Sequence, residues 1–363
     1  MAKRSPKTEQ DYIAACRRWK EGNYDGRKPT INDVADLAGV SKKTVSRVIN
    51  GSPAVNKSTR DGIQLIIDEI GYRPDPQARG LAFRRSYLVG LIYDNPNPQY
   101  VVNVQLGILD GLRGTGFELV VHPCDRNSDN FIEDARKFIE LQKLYGVVVT
   151  PSVSEDERLA EVLRDIGCEY VRIASVALDQ EQRMIVTNDR IGGREAGKHL
   201  GELGHTRVAM VTGRRSFRSA HERREGFEEG LGEFGVEVLP EYVAQGDYTF
   251  ESGLARGAEL IDLDPPPTAI FAANDEMAAG VMQSALIAGL KVPDELSVVG
   301  FDNFQTATRI WPRLTTVATP SRDVGMLAAR QLLRAAHDPG MKPASNQTMP
   351  RLVRRDSSRK PPD

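Results

Sequence analysis

The chain has 363 residues, with 48 Lys and Arg against 50 Asp and Glu, 40% hydrophobic residues and three cysteines. That length suits two or three domains with a sizeable core, and the near-average composition excludes a disordered, collagen-like or membrane-embedded chain. Cys16, Cys124 and Cys168 are far apart and odd in number, so neither a disulfide framework nor a zinc site is expected and a cytoplasmic protein without cofactors is.

The opening segment, MAKRSPKTEQDYIAACRRWKEG, has charges but no apolar h-region, and no apolar run of membrane-spanning length follows. Neither secretion nor membrane insertion is expected. Charge is unevenly spread: residues 1–86 hold 17 basic and 10 acidic side chains, net +7, leaving 31 against 40, net −9, for residues 87–363. One end suits a polyanion that the rest repels.

From Thr30 the chain reads TINDVADLAGVSKKTVSRVING. Thr30 and Asp33 have the spacing of a capping pair, with Ile31, Val34, Ala35 and Ala38 at helical spacing behind them. Gly39 suits a tight turn, and Ser41 suits the N-cap of a second helix with Val45, Val48 and Ile49 inward. A small residue at the helix crossing, glycine at the corner and a branched residue beyond suit a helix-turn-helix. Lys42, Lys43, Thr44, Ser46 and Arg47 then lie on the outer face, where they can donate to phosphates and base edges. After a turn at Asn50-Gly51-Ser52-Pro53, Asn56 caps a predicted third helix, with Ile63, Ile66, Ile67 and Ile70 inward and Gly62 costing it about 1 kcal/mol relative to alanine. Residues 72–86, YRPDPQARGLAFRRS, place Leu81 among Arg73, Arg79, Arg84 and Arg85 in a stretch too short to stay helical alone.

These residues resemble the lactose-repressor (LacI/GalR) family of bacterial transcription regulators, from about Thr30 to Ser358. TINDVADLAGVSKKTVSRVING is similar to its headpiece and GYRPDPQARGLA to its hinge. The resemblance implies a double-stranded DNA operator and a homodimer, with a tetramer as the larger option. It implies DNA contacts from Thr30, Ser41, Lys42, Lys43, Thr44, Ser46, Arg47, Asn50 and Arg79, and a minor-groove wedge from Leu81. Gly80 stands where a longer polar side chain is common in the family. Residues 1–29 extend beyond the usual start and are expected to be a disordered extension.

From Tyr87, apolar runs of strand length alternate with helical stretches: YLVGLIYD, FELVVHP, GVVVTP, YVRIAS, RVAMVTG, TAIFAAN, LSVVGFD and LTTVAT. This predicts doubly wound α/β sheet. The expected architecture is an all-α helix-turn-helix headpiece (30–75), a hinge helix (76–86), and a two-lobed periplasmic-binding-protein-like α/β domain (87–358), with a tail at 359–363. The resemblance supplies the cut into lobe 1 (about 87–187 and 317–345) and lobe 2 (about 188–316 and 346–358). Ligands of such sheets sit beyond the strands' carboxyl ends, where polar residues cluster here. The family's effector positions fall on Arg223, Tyr248, Asn274 and Asp302, with Asn95, Thr150 and Ser219 beside them; a sugar or sugar derivative is the expected effector. Ala174 stands where several sugar-responsive relatives place a carboxylate, so that contact is not carried over.

Enzyme readings fail on spacing. GGREAGKH (192–199) nearly spells a phosphate loop, but His199 stands where Ser or Thr would bind magnesium; HERRE (221–225) lacks the second His of HExxH, and GILDGLRGTG has the wrong spacing for a dinucleotide fingerprint. An effector-responsive repressor of carbohydrate-utilisation genes is therefore expected, with a nucleobase-responsive, corepressed regulator or a sugar-binding transport component as alternatives.

Overall fold

The computed structural model describes residues 9–22, 26–49, 54–73, 86–337 and 346–362, in two compact units, Met1–Ser86 and Tyr87–Asp363. The first unit is helical: α1 (Glu9–Gly22), α2 (Ile31–Ala38), α3 (Lys42–Ile49) and α4 (Lys57–Ile70). Thr30 and Asp33 form a full capping box on α2, the Asp33 carboxylate accepting the Thr30 N–H at 2.8 Å. Gly39, at φ 69°, turns the chain into α3, whose start is capped by Ser41 Oγ accepting the Thr44 N–H at 3.2 Å. Asn56 Oδ1 caps α4 through the Thr59 N–H at 2.9 Å. Val34, Ala35, Val45, Val48, Ile63, Ile66 and Ile70 make the shared core.

The structure overturns the expectation of a disordered extension over residues 9–22. Helix α1 adds the fully buried Cys16 to that core, with Tyr12 and Trp19 packed against it. Tyr12, Cys16 and Trp19 recur at four and three residues, one helical face. Trp19 Nε1 donates to Asp33 at 3.2 Å, and Arg27 grips the same carboxylate at 2.6 and 3.0 Å. The hinge helix expected at 76–86 lies outside the described residues apart from Ser86, as do Asn50, Arg79 and Leu81.

The second unit has two sheets. Lobe 1 holds β1 (Leu88–Tyr93), β2 (Glu118–Pro123), β3 (Gly146–Val149), β4 (Glu169–Ala174) and β5 (Met184–Val186), parallel in the order β2-β1-β3-β4-β5. Its helices are α5 (Pro98–Leu112), α6 (Phe131–Gln142), α7 (Glu157–Asp165) and, from late in the chain, α13 (Ser321–His337). Lobe 2 holds β6 (Val208–Thr212), β7 (Val243–Gln245), β8 (Ala269–Ala272), β9 (Ser297–Asp302), β10 (Thr315–Ala318) and β11 (Arg351–Val353). Their order is β11-β10-β9-β8-β6-β7, parallel except for antiparallel β11. Its helices are α8 (Asp189–Leu203), α9 (Arg218–Gly232), α10 (Phe250–Ile261), α11 (Asp275–Ile287) and α12 (Gln305–Arg309).

All eight apolar runs contain a strand, while β5, β7 and β11, three residues each, are too short to separate from loops by pattern. The crossings differ slightly from the expected cuts. Strand β10 keeps residues 315–318 in lobe 2, and Asn346 and Thr348 still bond the Val186 backbone of lobe 1 before β11 returns to lobe 2. Nor is 359 a loose tail: Ser297 Oγ accepts the Arg359 N–H at 3.0 Å.

The glycines of the near phosphate loop serve packing. A Cβ on Gly193 would lie 2.2 Å from Arg223 O, and one on Gly226 would lie 1.9 Å from Arg190 O, so α8 and α9 cross with their backbones in contact. This crossing sets the starts of the two helices side by side. Likewise Gly107 lies inside α5, where a Cβ would meet Arg322 O of α13 at 1.9 Å.

Candidate functional site

Two faces qualify, one in each unit. On α3, Val45 and Val48 are buried while Lys42, Lys43 and Arg47 are exposed, with Ser41 exposed at the cap and Thr44 and Ser46 half-buried. The apolar face fixes the helix on its core, and the opposite face carries three cations with no acidic side chain. A helix so presented fits the major groove. Thr30 is exposed, but its hydroxyl is engaged with Asp33, at 2.6 Å. The structure thus gives Thr30 the work of a cap.

The second face is a cavity between the lobes with about 640 Å³ of empty space, its open mouth included. Of the seven expected effector residues, Asn95, Ser219, Arg223, Tyr248, Asn274 and Asp302 line it. Thr150 does not: it is fully buried at the end of β3, its hydroxyl without a hydrogen-bond partner, and Pro151 lines the cavity instead.

Arg223, at the start of α9, is the one cationic side chain lining the cavity among the described residues. Its Nε donates to Asp189 Oδ1 at 2.7 Å, Nη1 donates to Ala273 O at 2.5 Å, and Nη2 stands 3.6 Å from Asp302 Oδ1. The guanidinium also lies over the Phe301 ring, 3.9 Å from its centroid. Burial opposes the Arg223 charge, but the two carboxylates outweigh it and its pKa rises. Thr187 donates to the other Asp189 oxygen.

Asp302 ends β9 with φ at 105°, a conformation that L side chains adopt at a cost and that an over-determined site can hold. Burial pushes its pKa up to about 7 despite Arg223, with Asp189 and Glu276 adding to the rise. Its neighbour Asp275, buried among the Thr316 hydroxyl and the Phe304 N–H, is also pushed upward by burial and by Asp302. Tyr248, at φ 74°, turns its ring onto Gly213, where a Cβ would come within 2.1 Å. Burial raises its phenol to about 12. Asn274 both caps α11 through the Met277 N–H at 2.9 Å and donates to Tyr248 O at 2.9 Å.

Sequence reasoning missed several lining residues. From lobe 1, Asn97 and Tyr100 present a buried amide nitrogen and a buried hydroxyl that lack hydrogen-bond partners. Burial, with Asp189 and Asp302 nearby, raises the Tyr100 pKa, so its hydroxyl stays protonated and can donate. Thr187, Asp189, Phe217, Ser321 and Thr348 complete much of the lining. Asn97 also caps α5, a role that conceals it in the sequence. Asp189 sits in a segment whose glycines draw attention elsewhere, although its place at the start of α8 marks it as polar and structured.

No group of His, Cys, Asp and Glu suited to a metal occurs among the described residues. His199 is buried and bonded to Ser358 Oγ at 2.8 Å, within α8 and away from any phosphate-loop geometry.

A helix-turn-helix unit with a basic outer face, joined in one chain to a two-lobed α/β unit with a polar cleft, defines a ligand-responsive DNA-binding regulator. The chain belongs to the lacI family of bacterial regulatory proteins. That family's description matches residues 30–75, and the periplasmic binding protein-like domain matches residues 198–358. Catabolite control protein A of Priestia megaterium is 33% identical over 306 residues, covering 84% of this chain and 92% of that protein. Among solved structures, the transcriptional regulator CelR in complex with cellobiose has a TM-score of 0.69 at 31% identity, covering 91% of this chain and all of that one. The lac repressor dimer bound to operator and the anti-inducer ONPF has a TM-score of 0.73 at 26% identity, covering 92% and 100%. The headpiece separates this chain from a transport component, and its relatives are DNA-binding regulators rather than enzymes.

Proposed function

We propose that the chain is a homodimeric repressor, acting in the cytoplasm, whose operator affinity is set by an uncharged, polyhydroxylated effector in the interlobe cleft. The observation that carries this reading is the charge balance around Arg223. Its guanidinium is already shared between Asp189 and Asp302, so the cleft has no surplus positive charge for a phosphate or carboxylate. Donors from lobe 1, Tyr100 and Asn97, face acceptors from lobe 2, Asp189 and Asp302, and a sugar hydroxyl both donates and accepts. Such a ligand bridges the lobes and favours one of their arrangements. For it to lower operator occupancy it must bind the DNA-incompetent arrangement more tightly, by the same factor in both directions.

Calorimetry with neutral mono- and disaccharides, cellobiose included, against their phosphorylated counterparts and nucleobases tests this. Heats of binding are expected from a neutral sugar and lost in Arg223→Ala. Tight binding confined to sugar phosphates or nucleobases would overturn the reading.

A further inference from the structure

Helix α9 begins at the mouth of the cleft, and Ser219 in its first turn and Arg223 in its second line the site with the preceding Phe217. The first turn of any helix leaves backbone N–H groups without intrahelical partners, normally met by a side-chain oxygen at the N-cap. Here the N-cap is Phe217, which supplies none. The oxygen comes from the other lobe. Glu155, on the 3-10 turn Val153–Glu155 after β3, accepts the Arg218 N–H on its Oε2 at 3.1 Å.

The turn that presents Glu155 is held from several sides. Ser152 sits at φ 73°, its hydroxyl donating to Asp94 O at 2.9 Å, while Arg126 Nη1 donates to Ser152 O at 2.8 Å and lies 4.0 Å from Glu155 Oε2. A non-glycine residue kept in that region is a conformation that the surroundings must impose, and such positions gather at switching and binding sites. The second oxygen, Glu155 Oε1, is buried without a hydrogen-bond partner. A fully satisfied carboxylate would lock the lobes together, whereas one half-satisfied gives a contact that ligand binding can make or break.

We propose that Glu155 is an interlobe positioning residue: from lobe 1 it caps the lobe 2 helix that carries Arg223, and so sets how far the cleft stands closed before effector arrives. This rests on the cleft being the effector site, but the contact is tested without any effector. The contact couples closure of the lobes to the placement of Arg223, because both depend on the first turn of α9.

Hydrogen–deuterium exchange on the full-length chain reads it directly, in wild type, Glu155→Ala, Glu155→Gln and Glu155→Asp. In Glu155→Ala the Arg218 amide is expected to exchange at least tenfold faster, together with residues 150–156 of lobe 1, while the β3 and β6 amides keep their protection. Glu155→Gln, which retains an acceptor at the same reach, restores part of the protection; Glu155→Asp, one methylene shorter, does not. Unchanged exchange at Arg218 overturns the contact. Faster exchange at Arg218 with residues 150–156 unaffected overturns the coupling between lobes, as does equal acceleration in Glu155→Ala and Glu155→Gln spread through β3 and β6. Failure of every sugar to bind in calorimetry would sink the effector assignment and leave this result standing.

Discussion

Asp302 is held for binding at the expense of stability. In an unfolded chain an aspartate releases its proton near pH 3.9, whereas in the folded protein burial delays this to about 7. Between those values the native state binds the extra proton, so this group's contribution to stability falls as pH rises from about 4 to about 7 and stays low above that. Asp302→Asn removes the buried charge while keeping the shape. The difference in melting temperature, variant minus wild type, is therefore expected to be several degrees more positive at pH 8 than at pH 5, at roughly 2–4 °C per kcal/mol for a domain of this size. Effector binding should weaken at pH 8, where the variant lacks the carboxylate acceptor, and much less at pH 5, where Asp302 already carries its proton. A melting-temperature difference that does not grow with pH would mean that Asp302 is ionised at both. The sequence made Asp302 legible because it ends a buried strand in an α/β sheet. Asp189, which shares Arg223 with it, and the donors Asn97 and Tyr100 were not, since only the helix crossing and the fold of lobe 1 bring them to the same cavity.

At the scale of elements, Gly62 shows what sequence reading could not resolve. Alone it is a weak point in α4. In the structure a Cβ there would lie 2.4 Å from the Tyr12 ring, so the glycine is the seat on which α1 docks. A helix with Glu9, Asp11, Arg17, Arg18, Lys20 and Glu21 on its exposed positions looks like a solvated tail; the spacing of Tyr12, Cys16 and Trp19 marks a docking face, but only the structure shows that Gly62 receives it. Helix α1 is thus part of the headpiece fold, and Gly62→Ala should act oppositely in two backgrounds. Without residues 1–22 the alanine stabilises the headpiece by up to about 1 kcal/mol through helix propensity. With α1 present the gain is cancelled or reversed, because the Tyr12 ring must move. Trp19 and Trp311 are the two tryptophans of the chain, so Trp311→Phe leaves Trp19 to report headpiece unfolding where α1 is present, and circular dichroism follows the truncated form. Equal effects in both backgrounds would show that α1 does not rest on α4. By contrast α2, α3 and α4 were readable nearly to their ends, because Thr30, Gly39, Ser41, Asn56 and Gly71 cap or terminate them by local chemistry.

For the whole molecule, the division of charge into +7 over residues 1–86 and −9 over residues 87–363 predicts where DNA affinity resides. The acidic unit repels a polyanion, so the salt dependence of binding must come from the basic one, with Lys42, Lys43 and Arg47 exposed on α3. Each phosphate neutralised contributes about −0.9 to the slope of log K against log salt. If Lys42 serves a phosphate in each half of a dimer, Lys42→Ala should flatten that slope by about 1.8 and weaken binding to every duplex alike. Arg47 has the reach and fork geometry to read a guanine edge, worth about 1–3 kcal/mol of discrimination at each half-site. Over two half-sites Arg47→Ala should therefore cost from about thirtyfold to about 25,000-fold on a palindrome selected from random sequence, yet change binding to a scrambled duplex by little more than its one charge per subunit. Fluorescence anisotropy across a salt series with both duplexes separates the two behaviours. If Arg47→Ala weakened selected and scrambled DNA by the same factor, base reading would have to lie elsewhere in the headpiece, and α3 would be left as a helix that only grips the backbone.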